Sequence, residues 1–96
     1  MVLHTLSAPP RTAAFDDCLA TAGTDDTIVL LGDGVYAALP GGTALTRLLG
    51  HGARICVLAT DAAALGVTEL PPDITAIDMA GLVALTETCP RQLAWY

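Results

Sequence analysis

The sequence contains no lysine, and its cations are four scattered arginines, Arg11, Arg47, Arg54 and Arg91. Ten acidic residues bring the formal net charge to −6. Binding to nucleic-acid phosphates or to an anionic membrane surface requires a cluster of cations, which these four residues do not form. We therefore expect no direct nucleic-acid partner and no membrane partner.

Long apolar runs, a basic amino terminus and closely spaced cysteines are also missing. The longest runs, such as Ile28–Leu31 and Ile55–Ala59, are far shorter than the ~20 residues that span a bilayer. No basic segment precedes an apolar stretch, so a signal peptide is not predicted. Cys18, Cys56 and Cys89 are too widely spaced for a disulfide framework or a C-x-x-C metal motif. We expect a reduced, cytoplasmic protein without a metal or a cofactor.

Apolar residues are what the sequence has in excess. They make up 53% of its 96 residues, whereas charged residues make up 15%, compared with about a quarter in an average protein. This composition excludes intrinsic disorder, and the length predicts one domain over residues 1–96. The apolar side chains exceed what a small core needs. The surplus predicts contact with another subunit.

The hydrophobic pattern alternates between strands and helices. The apolar runs are continuous, which is typical of strands covered on both faces in a parallel sheet. Helical spacing is clearest for Phe15, Cys18, Leu19 and Ala22, at i, i+3, i+4 and i+7. The predicted strands are Val2–Ser7, Thr27–Leu31, Arg54–Ala59, Ile74–Asp78 and Gln92–Tyr96, and the main predicted helices are Thr12–Ala22, Ala44–Leu49, Asp61–Leu65 and Ala80–Thr88. This order predicts an α/β fold: a single-domain parallel-sheet sandwich of four core strands plus a short C-terminal strand.

Functional residues of a parallel sheet usually follow the carboxyl ends of its strands. The corresponding loops here are Ser7–Pro10, Gly32–Gly34 and Thr60–Asp61. The Gly-Asp-Gly loop has no phosphate-binding glycine motif, and the carboxylate of Asp33 would repel an anion. A tight turn with Asp33 as a helix cap is the favoured interpretation. A small anion-binding or ligand-binding module remains an alternative.

The remaining polar and aromatic residues allow few catalytic arrangements. His4, inside the first strand, is expected to be a hydrogen-bonded interior or interface residue rather than a base. His51 lies between two glycines and is expected in a solvated loop, and Asp25–Asp26 is expected on the surface. Trp95–Tyr96 either completes the core as an edge strand or docks on a partner.

The cysteines differ in their predicted surroundings. Cys56 lies inside a covered strand and is expected in the core, and Cys89 at the end of a helix is expected to be inert. Cys18 lies on the apolar stripe of the first helix, where periodicity favours a buried small hydrophobic residue. A thiol near a helix amino terminus is more reactive. Whether Cys18 is a buried hydrophobic residue or a reactive thiol therefore depends on whether its side chain points toward the core.

Several segments together resemble the DsrH/TusB family, the small subunit of cytoplasmic sulfur-relay complexes. They are Leu3–Ser7 (LHTLS), Gly32–Ala38 (GDGVYAA), Val57–Asp61 (VLATD), Ile77–Thr86 (IDMAGLVALT) and Gln92–Tyr96 (QLAWY). The resemblance covers essentially the whole chain and implies a DsrEFH-like fold.

The resemblance also implies partners. Family members assemble with DsrE/TusD-like and DsrF/TusC-like subunits into a dimer of heterotrimers, which passes persulfide sulfur to an acceptor protein of the TusE/DsrC type. The sulfur serves either wobble-uridine 2-thiolation of transfer RNA or dissimilatory sulfur oxidation. This chain would be an accessory subunit of that sulfurtransferase complex.

Within such a complex, the resemblance suggests a role for one cysteine. The sulfur-carrying subunit has its cysteine at the end of a strand, and the similar stretch Leu58–Asp61 contains none. Cys18 matches a cysteine on the first helix of the DsrH branch and is the candidate sulfur acceptor. The alternative is a purely structural assembly subunit whose chemistry takes place on a neighbour.

Overall fold

Five strands form one parallel sheet. The structure, a computed structural model, describes residues 1–96. The strands are β1 (Val2–Leu6), β2 (Thr27–Leu30), β3 (Arg54–Leu58), β4 (Ile74–Ile77) and β5 (Arg91–Trp95). Their order is β4-β3-β2-β1-β5, and every neighbouring pair is parallel. The predicted parallel α/β fold is confirmed, with the C-terminal strand added at the edge beside β1.

The connections place the helices unequally on the two faces of the sheet. The α helices are α1 (Ala13–Thr21), α2 (Thr43–His51), α3 (Ala59–Ala64) and α4 (Met79–Thr88), and a 3₁₀ helix (Gly32–Ala38) precedes α2. The chain steps in one direction from β1 to β4 and then reverses to reach β5. Because such crossovers are right-handed, the reversal puts α4 on the opposite face from the other helices. None of the helices is both long and apolar enough to cross a membrane.

The two faces bury cores of different size. The face with α1, α2 and α3 carries a cluster of 18 buried residues, which includes Phe15 and Leu48. The other face carries a cluster of four buried residues, Leu3, Val29, Cys56 and Cys89, against which Leu82 and Leu85 of α4 pack. No residue of α4 is itself buried. One face of the sheet is therefore well covered, and the other has a single helix lying on it.

Two helix boundaries differ from those predicted. Helix α3 begins at Ala59, directly after β3, and its N-cap residue Leu58 contributes no side-chain bond. The predicted start at Asp61 is wrong because that carboxylate bonds to another segment, described below. Helix α2 runs two residues past its predicted end and terminates at Gly52, whose φ of 96° is the left-handed conformation that suits glycine.

Candidate functional site

Cys18 lies on the core side of α1. Its side chain is fully buried among the apolar residues of the larger cluster. Burial raises the pKa of the Cys18 thiol to about 12, because the charged form loses its contact with water. The thiolate is the nucleophilic form of cysteine, and burial disfavours this form at Cys18. The orientation that periodicity left open is therefore inward.

The Gly-Asp-Gly segment forms the first turn of the 3₁₀ helix at the carboxyl edge of the sheet. Gly32 adopts a positive φ of 52°. Gly34 is buried where a Cβ atom would lie 2.0 Å from the carbonyl oxygen of Leu6, so no side chain fits there. The interpretation of this motif as a tight turn, with glycine required by backbone geometry, is confirmed.

One backbone donor of this turn is already occupied by a carboxylate. The N–H of Gly32 donates to Oδ2 of Asp61 over 2.8 Å, which joins the turn to α3. Asp33 is exposed, and the N-cap residue of the 3₁₀ helix is Leu31, without a side-chain bond. The prediction that Asp33 caps this helix is wrong. The carboxylate of Asp61 supplies the negative charge at this position and disfavours the alternative of an anion site.

A buried polar network joins the first strand to the last. His4 is 0% exposed. Its Nε2 lies 2.9 Å from Oδ2 of Asp26, and the indole Nε1–H of Trp95 donates to its Nδ1 over 3.1 Å. The prediction of a hydrogen-bonded interior histidine is confirmed. Trp95 completes the edge strand and packs partly buried against the core, while Tyr96 beyond it is 88% exposed.

Asp26 connects three segments at the edge of the sheet where the strands begin. Its carboxylate accepts the N–H groups of Val2 and Gly23, each over 2.9 Å, besides its bond to His4. The bond from Gly23 lowers the pKa of Asp26 most, and with the bonds from His4 and Val2 it brings the value to about 2. The expectation that Asp25 and Asp26 share a surface position is wrong for Asp26, which is half-buried, and right for Asp25. Only tertiary contacts distinguish these two residues.

The second histidine is structural too. Nδ1 of His51 accepts the N–H of Ala53 over 3.3 Å, so Nε2 carries the proton and donates to the carbonyl oxygen of Leu19 over 2.8 Å. His51 is half-buried at the end of α2. The prediction of a solvated loop residue is wrong, because these bonds tie α2 to α1.

The other two thiols are buried beneath α4. Cys56 and Cys89 both belong to the smaller cluster, and burial raises the pKa of Cys56. The core position predicted for Cys56 is confirmed. All three cysteines are free and buried, so the described chain exposes no thiol.

The outer side of α4 is an exposed apolar surface. Met79 and Val83, one helical turn apart, are 57% and 47% exposed. The charged residues of α4 amount to Glu87 alone, in its last turn. This apolar helix covers a thin core and has nothing packed on its outer side.

Comparisons with known proteins identify the family. The family model described as "DsrH like protein" matches residues 7–92. The chain belongs to the DsrH family. Its relatives include Protein TusB of Pectobacterium parmentieri, 43% identical over 95 residues, and Protein TusB of Escherichia coli strain K12, 36% identical over 95 residues. Each match covers 98% of this chain and 100% of the relative.

A solved structure supports the same fold for this DsrH-family chain. The crystal structure of the ychN protein from E. coli superposes with a TM-score of 0.79, covering 98% of this chain and 97% of that one. The two sequences are 18% identical, so the likeness concerns the fold. Three features of this DsrH-family chain bear on its function. The carboxyl edge of the sheet has no thiol, Cys18 is buried, and the outer side of α4 is apolar and uncovered.

Proposed function

We propose that this chain is an assembly subunit of a sulfur-relay complex, which binds TusC-like and TusD-like subunits and leaves the sulfur-carrying cysteine to one of them. Membership of the DsrH family supports the class of complex. The downstream acceptor of the TusE/DsrC type and a cytoplasmic location belong to the same proposal. The free thiols of the chain are consistent with a reducing compartment.

The observation that carries the proposal is the uncovered outer side of α4. Large exposed side chains such as Met79 and Val83 lie on a helix that has almost no charge. Apolar surface of this kind marks protein contacts. An apolar face of a related α/β subunit is the partner that this surface suits, since burying it there removes apolar area from water without leaving a charge unpaired.

The predicted role of Cys18 as sulfur acceptor is a finer proposal. Acceptance of sulfur needs a thiolate that attacks the outer sulfur of a donor persulfide and releases the donor thiolate. In the isolated chain Cys18 is buried and its pKa is raised to about 12. Cys18 can therefore take part only if partner binding exposes it, and we favour the assembly role without this step.

Co-expression with TusC-like and TusD-like subunits of the same organism tests the assembly role. We would compare wild type with Val83→Glu on α4 and with Leu49→Glu on α2. These two exposed aliphatic side chains, at 47% and 40% exposure, lie on opposite faces of the sheet. Complex mass would be measured by size-exclusion chromatography with light scattering.

We expect wild type and Leu49→Glu to elute as a complex, and Val83→Glu to elute largely apart from its partners. Unfolding curves of the separate chains should be alike, because both substitutions are on the surface. Loss of the complex in Leu49→Glu but not in Val83→Glu would move the interface to the other face. Failure of wild type to bind either subunit would contradict the proposed function.

A further inference from the structure

The two hydrogen-bond partners of His4 determine which tautomer the neutral ring adopts. An indole N–H donates hydrogen bonds and accepts none. Since Trp95 donates to Nδ1 over 3.1 Å, Nδ1 carries no proton. The proton of the neutral ring is therefore on Nε2, which donates to Oδ2 of Asp26 over 2.9 Å. Every buried side-chain polar atom of the protein is bonded in this arrangement.

Trp95 connects this network to the edge of the sheet. Its backbone carbonyl accepts both the N–H of Ser7, over 2.9 Å, and the hydroxyl of Ser7, over 3.2 Å. Its ring lies nearly parallel to the His4 ring, with 6.2 Å between centroids and 24° between planes. The indole thus joins the last strand to the interior, and its partner is a residue that can change its charge.

We propose that protonation of His4 releases the Trp95 side chain from the core and loosens the end of β5. When Nδ1 takes a proton from solvent, it becomes a donor that faces the donor Nε1–H of Trp95, and their hydrogen bond is lost. The imidazolium keeps its Nε2–H bond to Asp26. The indole then recovers a hydrogen bond by turning toward water, which its edge position allows.

The charged groups beside His4 are Asp26, which stabilises an imidazolium, and Arg91, which opposes it. A groove of about 460 Å³ beside His4 is lined by Asp26, Thr21 of α1 and Arg91 at the start of β5. Asp26 bonds directly to the ring, and its hydrogen bonds lower its pKa to about 2, so it carries a negative charge at neutral pH. Arg91 is the cation on the β5 side, and α1 contributes the uncharged Thr21.

The fluorescence of Trp95 tests the proposal, since it is the one tryptophan of the chain. The emission of the full chain would be recorded as the pH is lowered, with circular dichroism confirming that the fold persists. We expect a reversible shift to longer wavelength in wild type. The shift should be absent in His4→Gln, which has no titrating ring, and retained in His51→Gln, which alters the other histidine.

Three fluorescence results would overturn the proposal. They are a shift that persists in His4→Gln, an emission maximum that stays fixed in wild type, and quenching without a shift, which would mean that the indole stays against the imidazolium. If His4→Gln does not fold, nitrogen-15 NMR of the wild-type His4 ring tests the proposal by showing which ring nitrogen carries a proton. We expect a protonated Nε2 and a bare Nδ1 at neutral pH, with Trp95 amide exchange increasing as Nδ1 gains its proton. A proton on Nδ1 at neutral pH, or Trp95 exchange that does not respond, would refute it.

Discussion

Replacement of Gly34 by alanine should be among the most damaging single substitutions in this protein. The added Cβ would lie 2.0 Å from the carbonyl oxygen of Leu6, about 1.4 Å closer than the 3.4 Å at which ordinary contact begins. The obstacle is backbone, so no side-chain rotation relieves it. Either β1 or the start of the 3₁₀ helix must move.

The cost of that movement has two parts. Overpacking a filled site costs about 1–3 kcal/mol. The same Leu6 carbonyl accepts the N–H of Leu31 over 3.1 Å, and losing that bond adds about 1 kcal/mol. We therefore expect Gly34→Ala to lower the free energy of unfolding by about 3 kcal/mol, a large part of the ~5–15 kcal/mol typical of a domain.

Gly50→Ala is the matched control. Gly50 lies in α2, and a Cβ there would have nothing within 4 Å, so alanine should stabilise the protein by about 0.5–1 kcal/mol through its higher helix propensity. Urea unfolding followed by circular dichroism measures both variants. A loss below about 1 kcal/mol for Gly34→Ala would refute the reasoning, because such a loss is typical of any substitution.

Three further predictions concern the buried polar groups and thiols. Asp26→Asn should lower the free energy of unfolding by about 2 kcal/mol at neutral pH. The Asp26 carboxylate has a folded pKa of about 2 and an ordinary value of 3.8, so it stabilises the fold above pH 4 and loses that effect as the pH falls toward 2. The fall in stability between pH 4 and pH 2 should therefore be smaller in Asp26→Asn than in wild type, and unchanged in Asp25→Asn. Trp95→Phe should cost about 1–3 kcal/mol by leaving Nδ1 of His4 without a donor, and equal unfolding curves for variant and wild type would contradict the network. Since all three cysteines are buried, Ellman's reagent should titrate no thiol rapidly in the native chain and three in denaturant, and a rapid native reaction would show that a thiol is exposed.

The sequence predicted the strands well because their signal is local. The strand Thr27–Leu30, for example, is a short, mostly apolar run between turn residues, and its continuous burial on both faces is typical of a parallel sheet. The order of the strands in the sheet could not be predicted from such local signals. The placement of β5 beside β1, and hence the isolation of α4 on one face, depends on contacts between residues more than 80 positions apart.

The candidate site was less predictable for the same reason. Cys18 lies on an apolar helical stripe, from which its burial could be inferred. Its role as sulfur acceptor, which the family resemblance implies, depends instead on whether an assembly exposes the thiol. The bond between His4 and Trp95 spans 91 positions, and the bond from Gly32 to Asp61 spans 29. The sequence predicted Asp61 at the start of a helix, yet its carboxylate bonds to Gly32 in another turn.

Sulfur loading of the assembled complex tests the central claim most directly. The reconstituted complex would be treated with a cysteine desulfurase and cysteine, and the intact mass of each subunit would then be measured, for wild type, Cys18→Ala and Cys56→Ala. If this chain is an assembly subunit, we expect the complex to form and a partner subunit to gain the same amount of sulfur with wild type and with both variants. Sulfur on this chain that is lost only in Cys18→Ala would instead make Cys18 a carrier, and a complex in which no subunit gains sulfur would contradict the sulfur-relay function.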